Sequence, residues 1–126
     1  LFERDALVSH FPASTTKIAT ALYVLKQPDN DLNMMITAEQ EALATIKPEA
    51  KRKANYKLPP YLLETDGTHI GIKKGEIFTL HDLLRGMMIS SGNDAANVIA
   101  QTLGPSIPTF MEKLNALLKE IGCEHT

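Results

Sequence analysis

Apolar residues recur every three or four positions in four segments of the chain, which is the period of an amphipathic helix. The segments follow Ser14, Thr79, a break at 90–92, and a start near Ser106 or Pro108. Gly104 and Gly122 end the last two. We therefore predict four helices, the first of them buried, with these apolar positions in chain order: Ile18, Ala21, Leu22, Leu25; Leu80, Leu83, Leu84, Met87, Met88; Ala95, Ala96, Val98, Ile99, Leu103; Phe110, Leu114, Leu117, Leu118, Ile121.

The pattern is weaker between the first and second helices. Residues 32–37 predict a short strand and residues 38–46 a short helix. Five basic residues and one acidic residue lie in 47–57 and two prolines follow, so we interpret 47–60 as an exposed insertion or loop. Glycines at 71 and 75 predict a turn, and 76–80 an extended lead into the second helix. The chain is therefore predicted to be mainly helical.

Composition limits the class of protein. The 126 residues are 44% hydrophobic and carry a net charge of −2, which suits one globular domain at most and gives no basic excess for nucleic acid. No apolar run approaches the ~20 residues of a membrane span, so we expect membrane association only through segments outside this sequence. Cys123 is the only cysteine and the four histidines are scattered, so we predict no metal and no cofactor.

Ser14 and Lys17 stand three positions apart at the start of the first predicted helix. This spacing places two side chains on one helix face, roughly 5–6 Å apart at Cβ. A serine becomes a nucleophile only when a base takes its proton, and a lysine can do so when burial or nearby positive charge lowers its pKa. The helix N-terminus would add N–H groups for an oxyanion. Alternatively, Ser14 is an N-cap and Lys17 extends to solvent.

Ser91-Gly92-Asn93 lies at the break between two strongly apolar predicted helices, where a loop can present side chains to a cleft. The Ser91 hydroxyl could relay a proton between Lys17 and a leaving group. The Asn93 amide could hold a substrate carbonyl or the lysine itself. The alternative is a helix-joining turn in which Ser91 or Asn93 is an N-cap.

These segments together strongly resemble the D-alanyl-D-alanine carboxypeptidases, the low-molecular-mass penicillin-binding proteins of the serine peptidase S11 class. The matching residues are Pro12-Ala-Ser-Thr-Thr-Lys-Ile18, Gly75-Glu76, Leu83-Leu84 and Ser90-Ser-Gly-Asn-Asp-Ala-Ala96. The resemblance covers about residues 2–126, except the basic segment 47–60. It implies the helical part of the α/β fold of β-lactamases and DD-peptidases, with most of the central antiparallel sheet missing. Residues 1–126 would then be a partial catalytic domain.

The resemblance also implies a mechanism. Ser14 would attack the penultimate D-alanine carbonyl of a peptidoglycan stem peptide ending in D-Ala-D-Ala, with Lys17 as general base. Ser91 and Asn93 would line the cleft, help to shuttle the proton and hold the substrate. Water would then hydrolyse the acyl-enzyme, and β-lactams would bind Ser14 covalently. The implied location is extracytoplasmic, in the bacterial cell envelope.

The third motif of that family, Lys-Thr-Gly, is absent from this sequence. Lys73-Lys74-Gly75 precedes Ser91 and matches the glycine-glutamate turn, so it is no substitute. A missing oxyanion donor alone costs about 10²–10³ in rate. We therefore expect an incomplete domain that is inactive alone. The rows of apolar side chains on the second and fourth predicted helices, which we call their apolar stripes, would then be exposed. Two alternatives stay open: a non-catalytic module that binds peptidoglycan or a protein partner, and a related β-lactamase or DD-endopeptidase.

Overall fold

A computed structural model describes residue 8 and residues 12–123. This part of the chain contains five α-helices and four short strands, so the prediction of a mainly helical chain is confirmed. The helices are α1 (Thr16–Lys26), α2 (Pro48–Lys53), α3 (Leu80–Ile89), α4 (Asn93–Leu103) and α5 (Ile107–Glu120). The strands are β1 (Met35–Thr37), β2 (Thr45–Ile46), β3 (Leu63–Glu64) and β4 (Ile77–Thr79). Residues 2–7, 9–11 and 124–126 of the stated resemblance lie outside the described residues.

Two of the helices begin at capping residues that the sequence indicates. The Thr79 hydroxyl accepts a hydrogen bond from the Asp82 backbone N–H at 3.0 Å, and the start of α3 follows directly. The Ser106 hydroxyl accepts one from the Thr109 N–H at 3.2 Å, which caps α5. Each cap satisfies a backbone donor that the first helical turn leaves without a partner. Both predicted starts are confirmed.

The core lies where α3 packs on α4 and where α1 and α5 pack against that pair. Most of the apolar stripes of α3 and α5 is buried there, so the expectation that they would be exposed is wrong except at Met88 and Ile121, which are 45% and 46% exposed. α3 and α5 each pack against α4 and α1, so these four helices bury the two stripes. An edge-to-face contact between Tyr23 and Phe110, with ring centroids 5.0 Å apart, joins α1 to α5. The buried members are Leu80, Leu83, Leu84, Met87, Ile107, Phe110, Leu114 and Leu118.

The apolar stripe of α1 faces away from this core. Ile18, Leu22 and Leu25 are 59%, 39% and 62% exposed, so the prediction of a wholly buried first helix is wrong. The buried residues of α1 are instead Thr20, Tyr23 and Val24. With 3.6 residues per turn, these two sets lie on opposite sides of the helix. One side therefore packs on the helical layer and the other remains uncovered.

The strands form two small pairs that flank the helices. β1 pairs antiparallel with β4, and β2 pairs parallel with β3. The predicted strand at 32–37 is confirmed for Met35–Thr37, and the predicted extended segment at 76–80 is confirmed as β4. The predicted helix at 38–46 is wrong, because Ala38 and Ala44 direct their backbone groups to other segments and two residues join β2.

The basic segment 47–60 contains α2, so the prediction of a loop is wrong for Pro48–Lys53. Proline is favoured in the first helical turn, since its missing N–H would have no partner there. The Lys51 ammonium lies 2.6 Å from a Glu64 carboxylate oxygen and joins α2 to β3. In the described ranges, no helix has the length and apolar character needed to cross a membrane.

Candidate active site

Ser14 lies in a single 3-10 turn, Ala13–Thr15, which leads directly into α1. Its side chain is exposed, and Lys17 follows in the first turn of α1. Ala13 has a φ of +46°, a left-handed conformation that is uncommon for a residue other than glycine. Thr15, not Ser14, occupies the N-cap position of α1, so the alternative that Ser14 is an N-cap is wrong.

All four residues predicted from the sequence meet in one cluster. The Ser91 hydroxyl donates to the Ser14 hydroxyl at 2.9 Å, across 77 residues of sequence. The Lys17 Nζ lies 3.4 Å from the Ser14 Oγ and donates to the Asn93 Oδ1 at 2.7 Å. The amine and the two hydroxyls are therefore within reach of proton exchange, and the Asn93 amide fixes the position of the amine.

Burial lowers the pKa of Lys17 from its ordinary value of 10.5. The cause is loss of hydration, which penalises the charged ammonium more than the neutral amine. Its acceptor, Asn93, is neutral, so this hydrogen bond orients the amine without supplying a counter-charge. A neutral amine retains a lone pair that can accept the Ser14 proton.

Ser91 holds its hydroxyl beside Ser14 with a strained backbone. Its φ is +56°, in the left-handed region that glycine usually occupies just after a helix. Gly92 is the N-cap of α4, so the alternative in which Ser91 or Asn93 caps this helix is wrong. The Gly92 N–H donates to the Gly86 carbonyl at 3.2 Å, and the Asn93 N–H donates to the Thr68 carbonyl at 2.9 Å. Both residues after Ser91 are thus anchored to other parts of the chain.

Two further features lie beside the cluster, and the sequence patterns did not predict either of them. The Asp94 side chain is 2% exposed and accepts hydrogen bonds from the backbone N–H groups of Ile70, Gly71 and Ile72. An acidic residue in the first turn of a helix is common, so its position gave no signal of this role. Among the described residues, no group of three His, Cys, Asp or Glu side chains is placed to hold a metal ion.

The second missed feature is a cavity of about 800 Å³ that opens beside Lys17 and Asn93. Its walls come from α1, α4, α5 and residues 60–64, and the Lys51–Glu64 ion pair lines it. Because these walls come from distant parts of the sequence, no local pattern could have indicated the cavity. Of the four cluster residues, Lys17 and Asn93 line this cavity.

The chain matches the family model described as D-alanyl-D-alanine carboxypeptidase over residues 1–126, a range that includes 47–60. It is 33% identical over 123 residues to D-alanyl-D-alanine carboxypeptidase DacB2 of Mycobacterium tuberculosis, covering 98% of this chain and 34% of that protein.

Two solved structures are also similar to it. The D-alanyl-D-alanine carboxypeptidase DacD of Francisella tularensis gives a TM-score of 0.78 at 26% identity, over 100% of this chain and 26% of that one. Penicillin binding protein 5 of Haemophilus influenzae gives 0.69 at 26% identity, over 90% and 29%. The chain therefore spans about a third or less of these relatives.

Proposed function

From the premise that the chain belongs to the D-alanyl-D-alanine carboxypeptidase family, we propose that it carries the nucleophile side of a serine-type D-Ala-D-Ala carboxypeptidase site. The observation that supports this most directly is the Ser14–Ser91 contact at 2.9 Å, with the Lys17 amine 3.4 Å from the same Ser14 oxygen. A hydroxyl with a base and a second hydroxyl in reach is the arrangement that nucleophilic acyl transfer needs.

The proposed roles follow from these contacts. Lys17, as a neutral amine, takes the Ser14 proton while the Ser14 Oγ bonds to the penultimate D-alanine carbonyl carbon. The bond from that carbon to the terminal D-alanine nitrogen breaks, and the leaving amine receives a proton through Ser91. Water then hydrolyses the serine ester and releases the shortened peptide. Asn93 holds Lys17 in place and contacts the substrate.

The electrostatics favour Lys17 as the base. Loss of hydration lowers its pKa and so raises the fraction of free amine near neutral pH. The 3.4 Å separation from Ser14 is long for a hydrogen bond, but catalytic contacts commonly tighten when substrate binds.

The partners and setting belong to the same proposal. The name of the similar Haemophilus influenzae protein states that it binds penicillin, which supports β-lactams as covalent inhibitors at Ser14. Because the proposed substrates are peptidoglycan stem peptides, the proposed reaction takes place in the bacterial cell envelope, outside the cytoplasm. Residues 1–126 would be part of a catalytic domain, with 47–60 as an insertion. A non-catalytic module that binds peptidoglycan or a protein partner is the alternative that the acylation test below separates from this proposal. A related β-lactamase or DD-endopeptidase would share the Ser14 acylation step.

Intact-mass spectrometry after incubation with a labelled penicillin tests the proposal. In the full-length protein that includes this chain we expect a covalent adduct on the wild type, none on Ser14→Ala, and an undiminished adduct on Ser90→Ala. Ser90 is the matched control, because it is an exposed serine beside Ser91 and is not among the residues that bond to Ser14. An unlabelled full-length wild-type protein would contradict acylation at Ser14 and favour the binding module.

A further inference from the structure

The Asp94 carboxylate is buried at the first turn of α4, directly after Asn93. It accepts hydrogen bonds from three consecutive backbone N–H groups, those of Ile70, Gly71 and Ile72, at 3.0, 2.9 and 3.0 Å. The Ala95 N–H adds a fourth at 2.9 Å. A carboxylate has about four acceptor sites, so all of its hydrogen-bonding capacity is used to hold backbone.

The same segment is held from its other side by apolar packing. A Cβ built on Gly86 of α3 would lie 2.6 Å from the Ile70 Cδ1, and one built on Gly92 would lie 3.0 Å from the Ile70 Cγ2. Neither distance leaves room for a methyl group, so Ile70 occupies space that two glycines leave open. Those glycines are on both sides of Ser91 in the chain.

The segment and α3 each hold one residue of the turn that carries Ser91 and Asn93. The Thr68 carbonyl accepts the Asn93 N–H at 2.9 Å, and the Gly86 carbonyl accepts the Gly92 N–H at 3.2 Å. Next to these anchors, Ser91 keeps its left-handed backbone, a strained conformation that persists only where its surroundings impose it. The Thr68 carbonyl and the Gly86 carbonyl of α3 therefore restrain the Ser91–Asn93 turn together.

We propose that Asp94 is a positioning residue of the acylation site: its buried carboxylate fixes Ile70–Ile72 against α4 and thereby holds Ser91 and Asn93 in register with Ser14 and Lys17. The inference rests on the proposed function and extends it to a residue that touches neither the substrate nor the reacting hydroxyl. Asp94→Asn is the sharpest perturbation, because the side chain keeps its size. Its NH₂ group would face backbone N–H donors, so at least one hydrogen bond is lost and replaced by an unfavourable contact.

The first measurement is the acylation rate by a labelled penicillin over a range of concentrations, which separates binding from the chemical step. We expect Asp94→Asn to slow the step at saturation by about 10- to 100-fold, since small displacements of catalytic groups cost this much. Leu114→Ala is the control, because it removes a fully buried side chain of α5 away from the site. At temperatures where each variant is folded, Leu114→Ala should be acylated at the wild-type rate when penicillin is saturating. An unchanged rate in Asp94→Asn, or an equal loss in Leu114→Ala, would overturn the proposal.

Amide hydrogen exchange separates this inference from the proposed function. In Asp94→Asn we expect faster exchange at Ile70–Ile72 and at Asn93, with Leu83 of α3 unchanged. That result on a chain that no penicillin labels would contradict the proposed function yet support the restraint by Asp94. If the Asn93 amide of folded Asp94→Asn exchanges at the same rate as in the wild type, the proposed restraint is wrong, whether or not the chain is acylated.

Discussion

The left-handed backbone of Ser91 allows a direct test of strain at the site. With a φ of +56°, this residue occupies a conformation in which a Cβ is crowded and glycine is not. Ser91→Ala and Ser91→Gly both remove the hydrogen bond to Ser14, so their difference isolates the backbone. We expect Ser91→Gly to be the more stable of the two variants.

The size of the difference follows from two opposing terms. A left-handed conformation costs a residue with a Cβ about 1–2 kcal/mol. Glycine avoids that cost but loses about 0.5–1 kcal/mol through its extra freedom in the unfolded chain. The net difference in the free energy of unfolding should favour glycine by about 0.7 kcal/mol, the middle of the range that the two terms allow, equivalent to about 2–4 °C in Tm.

Ser90 provides the control at the neighbouring position. Its φ is −97°, where a Cβ is not strained, so glycine should be less stable than alanine there by about 0.5–1 kcal/mol. Urea unfolding followed by circular dichroism measures all four variants, and their m-values should agree. The reasoning is refuted if the glycine-alanine difference has the same sign at both positions.

Two further predictions concern Lys17 and Asn97. Burial lowers the pKa of Lys17 in the native chain, so between that pKa and 10.5 the unfolded chain binds more protons than the native chain does. The stability of the wild type should therefore rise with pH relative to Lys17→Met across this window, as measured by urea unfolding at a series of pH values. A stability difference that is flat or falls with pH would contradict the buried amine. The Asn97 amide donates to the Ala42 and Tyr61 carbonyls at 3.0 and 2.7 Å, so Asn97→Ala should lower the free energy of unfolding by about 1–3 kcal/mol. The exposed Asn115→Ala should stay within about 0.5 kcal/mol of the wild type, and an equal loss at both positions would remove the special role of Asn97.

The sequence was most informative where local chemistry determines structure. Thr79 and Ser106 indicate where α3 and α5 begin, because a side-chain cap acts on the next three residues alone. The spacing of Ser14 and Lys17 likewise needs only one helical turn to bring the side chains together. The hypothesis that Ser91 and Asn93 meet these two residues came from their place at a helix break and from the family resemblance, because no local rule joins residues so far apart.

The sequence failed where distant segments decide. Residues 38–46 have a pattern compatible with a helix, yet the Ala38 N–H pairs with the Glu76 carbonyl and the Leu63 N–H pairs with the Ala44 carbonyl. In α1, apolar residues occupy two opposite sides, and only packing decides that Tyr23 is buried and Ile18 is exposed. The restraint by Asp94 was also invisible, because its three donors lie more than 20 residues earlier.

The long separation between Lys17 and Asn93 has a consequence for how freely the intervening chain can vary. Their contact closes a loop of 76 residues, and the entropy of closing a loop changes only with the logarithm of its length. Removing residues 47–60 would alter that cost by about 0.2 kcal/mol. The length of the basic segment is therefore almost without thermodynamic effect on the site. Residues 68–72, which are held at both the backbone and the Ile70 side chain, have no such freedom.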